Sequence, residues 1–80
     1  MSSEHTPPDV ELDTCGLLCP LPVLKARKRL QSMTSGGVLR MIADDPAARV
    51  DVPHFCAEQG HEFLGHVEEG AVVRYRIRKG

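Results

Sequence analysis

Cys19-Pro20-Leu21-Pro22 leaves the backbone fewer choices than any other stretch of this chain. Proline locks φ and has no amide hydrogen, so two prolines one residue apart fit neither a helix interior nor a central strand. Downstream, Val23, Ala26, Leu30 and Met33 recur at helical spacing, and Lys25, Lys28, Arg29, Gln31 and Ser32 occupy much of the remaining surface. One placement reconciles the two: Cys19 as N-cap, Pro20 at the first helical position and Pro22 at the third. First-turn amides have no acceptor within the helix, and the residue four before Pro22 lies outside it, so neither proline disrupts anything there. A thiol is thereby pinned at the positive end of a helix, where thiolate is favoured. The missing amides of residues 20 and 22 leave mainly Leu21 and Val23 as donors. A partial lowering of the Cys19 pKa is therefore expected, giving a good nucleophile that is still a fair leaving group.

The rest of the chain supplies the frame for that turn. Residues 1–9, polar and holding Pro7 and Pro8, read as a flexible N-terminal arm, with one folded domain over 10–80. Val10 and Leu12 alternate with Glu11 and Asp13 as a short first strand, which Gly16 ends. Ser35-Gly36-Gly37 stops the first helix, and the apolar run 38–43 predicts an interior strand. Asp44-Asp45-Pro46 reads as a capped helix start. Because Pro53 does not suit a helix interior, a short turn at 46–50 is expected, with the helix restarting near Val52-Pro53 and running through Phe55 and Cys56 to Gly60. Phe63 and Val67 mark a third strand interrupted by Gly65, and Glu68-Glu69-Gly70 a hairpin turn. In the last strand Val73, Tyr75 and Ile77 face one side and Arg74, Arg76 and Arg78 the other. The order β-α-β-α-β-β predicts an α+β fold: a two-layer α/β sandwich with a four-stranded mixed sheet and two helices on one face.

Composition narrows the function classes. Eighty residues with 41% hydrophobic and 26% charged side chains make one small globular domain, too small to enclose a large substrate cavity. A net charge of -1 and only three aromatic residues, Phe55, Phe63 and Tyr75, argue against direct RNA binding. Cys15, Cys19 and Cys56 are an odd number and do not suit a disulfide framework. The start MSSEHTPPD has no apolar signal region, and no run has the length of a membrane helix, so a cytoplasmic protein with free thiols is expected and no membrane partner.

At this point the residues resemble a known family, the TusA/SirA-like sulfur carriers. The matching stretches are Leu12-Asp13, Gly16-Leu17 with Cys19-Pro20-Leu21-Pro22, Ala43-Asp44-Asp45-Pro46-Ala47, Asp51-Val52-Pro53 with Phe55-Cys56, Gly60-His61-Glu62, and Arg74-Tyr75-Arg76-Ile77-Arg78-Lys79-Gly80. The likeness covers about residues 12–80, and the Cys-Pro-x-Pro turn is its most specific part. The resemblance implies a two-layer sandwich and a persulfide carried on Cys19. It implies a cysteine desulfurase as sulfur donor and a downstream acceptor protein, with tRNA wobble-uridine 2-thiolation as one destination. Relatives serve other sulfur, selenium or molybdenum-cofactor routes. Leu21 stands where tRNA-thiolation members tend to carry an acidic residue, and Cys15 is an extra thiol, so the route stays open.

Several further residues carry alternatives. Cys15, four residues before Cys19, is either a resolving thiol for a Cys19 persulfide or a small apolar side chain at a strand end. Cys56 reads as a buried core thiol. Cys15, Cys19, His54, Cys56 and His61 have the chemistry of zinc ligands, but their spacings are not those of paired knuckles, so no metal and no cofactor are expected. His61 and His66 read as surface or boundary residues of the third strand. Lys25, Arg27, Lys28 and Arg29 are either a solvated helix face or a docking patch for acidic partner surfaces. Arg40, Arg74, Arg76 and Arg78 form a second basic group on the open sheet face. No Ser/His/Asp triad, phosphate loop or carboxylate pair in a catalytic setting is visible. A carrier of sulfur on Cys19, acting stoichiometrically, is the favoured reading. A dithiol redox module of Cys15 and Cys19 and a non-catalytic interaction domain are its rivals.

Overall fold

In the computed structural model, which describes residues 9–80, the elements run β1 (Asp9–Asp13), α1 (Leu21–Gln31), β2 (Val38–Ala43), α2 (Ala48–Gln59), β3 (Glu62–Glu69) and β4 (Val72–Arg78). The four strands form one sheet in the order β1-β2-β4-β3. β1 lies parallel to β2, with Val10 beside Leu39 and Leu12 beside Met41. β4 is antiparallel to both β2 and β3, so the sheet is mixed, as the element order predicts. Residues 1–8 lie outside the described residues, and with them all of the expected arm except Asp9, which opens β1.

Alternation sets which face each strand buries. In β4, Val73, Tyr75 and Ile77 are buried while Arg74, Arg76 and Arg78 are exposed. In β2, Leu39, Met41 and Ala43 turn to the same side. α1 covers them with Ala26 and Leu30, helped by Met33 just past its end, and α2 with Ala48, Val52, Phe55 and Cys56. Both helices therefore pack on one face of the sheet, leaving the arginine face open. Gly65 carries φ of 129° at a shift of register between Phe63 and Gly65, the interruption its place in the third strand suggested.

Two boundaries differ from expectation. α2 is a single helix from Ala48, with Pro53 inside it, instead of a turn at 46–50 followed by a restart. Ala48, Val52, Phe55 and Cys56 follow the i, i+4, i+7, i+8 stripe of one continuous helix, and all four are buried. Pro53 removes a single bond, the one its amide would make to the carbonyl of exposed Arg49, where water can substitute. The hairpin turn is Gly70-Ala71, one residue later than Glu68-Glu69-Gly70. Glu69 already pairs with Val72, and Gly70, at φ of 62°, supplies the left-handed residue a two-residue turn demands.

Candidate functional site

The loop between β1 and α1 is fastened at both ends. Thr14, fully buried, gives both its amide (2.8 Å) and its hydroxyl (2.7 Å) to the carbonyl of Ile42 on β2. The Gly16 amide donates to Asp44 Oδ1 at 3.0 Å, and the Cys19 amide to Asp45 Oδ2 at 2.6 Å. Asp45 Oδ1 accepts from the Ala47 amide at 3.1 Å, and the Asp45 carbonyl from the Ala48 amide at 3.0 Å. Asp45 thus closes the turn before α2 and with its second oxygen holds Cys19, but it does not cap the helix as expected: the N-cap is Ala47, without a side-chain cap, and Pro46 lies ahead of the first helical residue, Ala48. The thiol is exposed and lies where the N-terminal ends of both helices meet. Thr14 and the second duty of Asp45 escaped the sequence reading, because a contact spanning 28 or 26 residues leaves no local pattern.

The cap is not Cys19. The first i to i+4 bond of α1 runs from the Leu24 amide to the Pro20 carbonyl, and the Leu21 amide bonds the Leu18 carbonyl. Pro20 is therefore the N-cap, without a side-chain cap, and Pro22 is the second helical residue, one place earlier than expected. The Cys19-Pro20 peptide is cis. The thiol pKa also moves opposite to expectation: it lies above the ordinary cysteine value. The leading cause is the pull of the Asp51 side chain, in the first turn of α2, on the thiol hydrogen; slight desolvation and the charges of Asp51 and Asp45 follow. Two carboxylates outweigh the helix end, and the Cys19 amide donates to one of them without facing the sulfur.

Cys15 is exposed and belongs to a different neighbourhood. Its amide donates to Asp13 Oδ1 at 2.9 Å. Partial burial, a hydrogen bond with Asp13 and the charges of Asp13 and Asp44 raise its thiol pKa, against the opposing charge of Arg74. Cys56 is buried in the core, and burial pushes its thiol up to about 11. All three cysteines are free.

The remaining candidates separate as follows. Lys25, Lys28 and Arg29 line one groove of about 320 Å³ with Leu12 and Ser32, which places them along one side of α1 next to β1; Arg27 is not part of it. None of these four cations forms a salt bridge among the described residues. On the open sheet face Arg40 pairs with Glu11 at 2.6 Å, Arg74 with Glu69 at 2.7 Å and Arg78 with Glu62 at 2.9 Å. Only Arg76 of that group lacks a carboxylate partner among the described residues, so the face is nearly neutral. Among the described residues no three histidines, cysteines or acids gather as metal ligands. His54 pairs with Glu58, and His66 lies 5.8 Å from the Tyr75 ring. His61 accepts the Gly80 amide on Nδ1 at 3.0 Å and packs 5.6 Å from the Phe55 ring, so it ties residues 79–80 to α2.

Large apolar side chains stand exposed at the Cys19 end of the molecule. Leu18 is 68% and Val50 73% exposed, and Leu21 and Leu24 add an i, i+3 pair on α1. The sequence reading missed this group because Leu18 precedes the helix and Val50 sits on the other one. Its only local trace is Leu21, an apolar residue between two prolines.

No helix among the described residues is long and apolar enough to cross a membrane. A solved SirA-like protein from Desulfitobacterium hafniense superposes with a TM-score of 0.77 at 25% identity, over 89% of this chain and 97% of that one. The sulfur carrier protein TusA of Pseudomonas entomophila (strain L48) is 48% identical over 71 residues, 89% of each chain. The sulfurtransferase TusA family matches residues 10–79, the strands, both helices and the Cys19 turn together. With fold, motif and sequence in agreement, the chain belongs to the TusA family of sulfur carriers.

Proposed function

We propose that Cys19 is the sulfur-carrying atom of this protein, taking sulfur from a cysteine desulfurase and passing it to an acceptor protein in the cytoplasm. The observation that carries this reading is the position of the thiol: exposed, on a loop fixed by Thr14, Asp44 and Asp45, at the joint end of two helices. Such a thiol reaches into a partner's active site while its own backbone stays in place. The exposed Leu18, Leu21, Leu24 and Val50 supply an apolar contact around it, and Lys25, Arg27, Lys28 and Arg29, which form no salt bridge among the described residues, steer acidic partner surfaces. Delivery towards tRNA wobble-uridine 2-thiolation is the route we favour. Leu21 makes the contact surface apolar where tRNA-thiolation members tend to carry an acidic residue, so a tRNA-route partner that requires that acid would reject this chain and leave the other sulfur, selenium or molybdenum-cofactor routes.

The chemistry is an exchange between sulfurs. The Cys19 sulfur attacks the outer sulfur of a donor persulfide, the donor S–S bond breaks, and the donor leaves as a thiolate. The test is intact mass after incubation with a cysteine desulfurase and cysteine, for wild type, Cys19→Ser, Cys15→Ser and Cys56→Ser. A gain of one sulfur lost only in Cys19→Ser is expected. Loss of two hydrogens requiring both Cys15 and Cys19 identifies a dithiol redox module instead and overturns the proposal. So does an unchanged mass in every variant, which leaves an interaction domain.

A further inference from the structure

We propose that the groove between α1 and the free edge of β1 takes an extended acidic segment of a partner protein, which joins the sheet as a fifth strand beside β1. The inference is independent of the role of Cys19. In the strand order β1-β2-β4-β3, β1 has a neighbour on one side only among the described residues. Thr14 sends its amide to Ile42 on β2, and such groups alternate along a strand, so Leu12 and Val10 turn theirs to β2 as well. Glu11 and Asp13 therefore present their N–H and C=O on the outer edge, ready to pair with another chain. Beside that edge runs the groove of about 320 Å³ lined by Leu12, Lys25, Lys28, Arg29 and Ser32.

The groove carries one sign of charge. Lys25, Lys28 and Arg29 are exposed, form no salt bridge among the described residues, and share the groove with no carboxylate. The acids of β1 do not cancel them, because they sit on the open face of the sheet. There Glu11 bonds Arg40 at 2.6 Å, Asp9 lies 4.0 Å from the same guanidinium, and Asp13 accepts the Cys15 amide. The spacing of the cations suits a strand. From Lys25 to Arg29 is about 6 Å along a helix, and side chains on one face of a strand recur about every 6.6 Å. A segment with an acid at every second position sets one carboxylate at Lys25 and the next at Lys28 and Arg29, while its backbone pairs with Glu11 and Asp13. An RNA strand has the charge but no regular alternation of N–H and C=O to match that edge, and the groove offers no aromatic ring for stacking. Cys19, Leu18, Leu21, Leu24 and Val50 do not line the groove, so a partner held in it leaves the thiol end uncovered.

The test uses the full chain and a fluorescein-labelled peptide of alternating glutamate and threonine, longer than the five residues of β1. Fluorescence anisotropy is expected to show binding that weakens as salt rises. Lys28→Glu is expected to weaken it about tenfold, whereas Arg27→Glu, the same charge change on the same helix but outside the groove, should cost about twofold. Amide hydrogen exchange at Glu11 and Asp13 should slow when the peptide is bound, since only strand addition covers those groups. Unchanged exchange at both residues overturns the fifth strand. A peptide that does not bind, or equal losses in Lys28→Glu and Arg27→Glu, overturns the groove as the site. Tighter binding of a single-stranded RNA of equal charge overturns the acidic peptide as its occupant. Sulfur loading of Cys19, read separately by intact mass, stands or falls apart from all of these outcomes.

Discussion

Replacing Asp45 by alanine removes two bonds that join the Cys19 loop to α2. One is the 2.6 Å bond from the Cys19 amide to Oδ2, the other the 3.1 Å bond from the Ala47 amide to Oδ1. The second closes the turn that leads into α2, and an ordinary hydrogen bond of that kind is worth about 1 kcal/mol. The first is a bond to a carboxylate, worth roughly 1.5 kcal/mol at the low end suited to an exposed pair. Together they predict a destabilisation of about 2.5 kcal/mol for Asp45→Ala. In a chain of this size that lowers Tm by roughly 10–20 °C. Asp45→Asn keeps one acceptor oxygen and should lose about half as much, roughly 1 kcal/mol. Urea unfolding followed by circular dichroism measures both. In the folded protein the alanine variant should also alkylate at Cys19 at lower pH, since Asp45 is one of the charges holding that thiol up. An Asp45→Ala protein within about 0.5 kcal/mol of wild type, the range of an ordinary surface substitution, would show that the two bonds do not couple loop and helix.

Other consequences can be checked with similar means. Cys56, raised to about 11 by burial, keeps its proton in the folded chain after the unfolded chain has lost it. Its contribution is whole below the ordinary thiol value near 9 and lost as pH rises towards about 11. Urea unfolding of wild type and Cys56→Ala at alkaline pH should therefore converge relative to neutral pH. His61 is held below its ordinary value by burial and the Lys79 charge, so its neutral form is the folded one. Its contribution is present above about pH 6.5 and is lost as pH falls through its lower folded value, which an imidazole NMR titration with a midpoint below 6.5 checks. Gly65→Ala should cost about 1–2 kcal/mol although a Cβ meets nothing within 4 Å, because φ of 129° is strained for any side chain. Equal stability in urea would refute that.

The elements that were legible are those whose periodicity and burial agree. From Val73 onward β4 alternates apolar and arginine residues, and β2 is a mostly apolar run bounded by glycines and acids, so pattern alone places both. The helix over Val23, Ala26 and Leu30 is legible for the same reason. α2 was not, because two signals of different range conflict there. Pro53 speaks for a break within one turn, while the stripe of Ala48, Val52, Phe55 and Cys56 speaks for continuity across three. The stripe wins because four buried side chains outweigh one backbone bond that water replaces.

The site divides along the same line. That a thiol sits at the head of α1 follows from two prolines and needs no tertiary information. Its charge state does not follow, because it depends on Asp45 and Asp51, 26 and 32 residues away along the chain, brought to the sulfur only by the packing of α2 beside α1. The helix end acts on Cys19 through partial charges one residue beyond the cap, and it has lost the amides of Pro20 and Pro22. The full carboxylate charges of Asp51 and Asp45 outweigh it. A thiol whose pKa is held above its ordinary value by neighbouring carboxylates reacts little with small oxidants in free solution, where no persulfide is positioned against it. That combination gives a carrier whose sulfur is exposed yet whose reactivity waits for a docked donor.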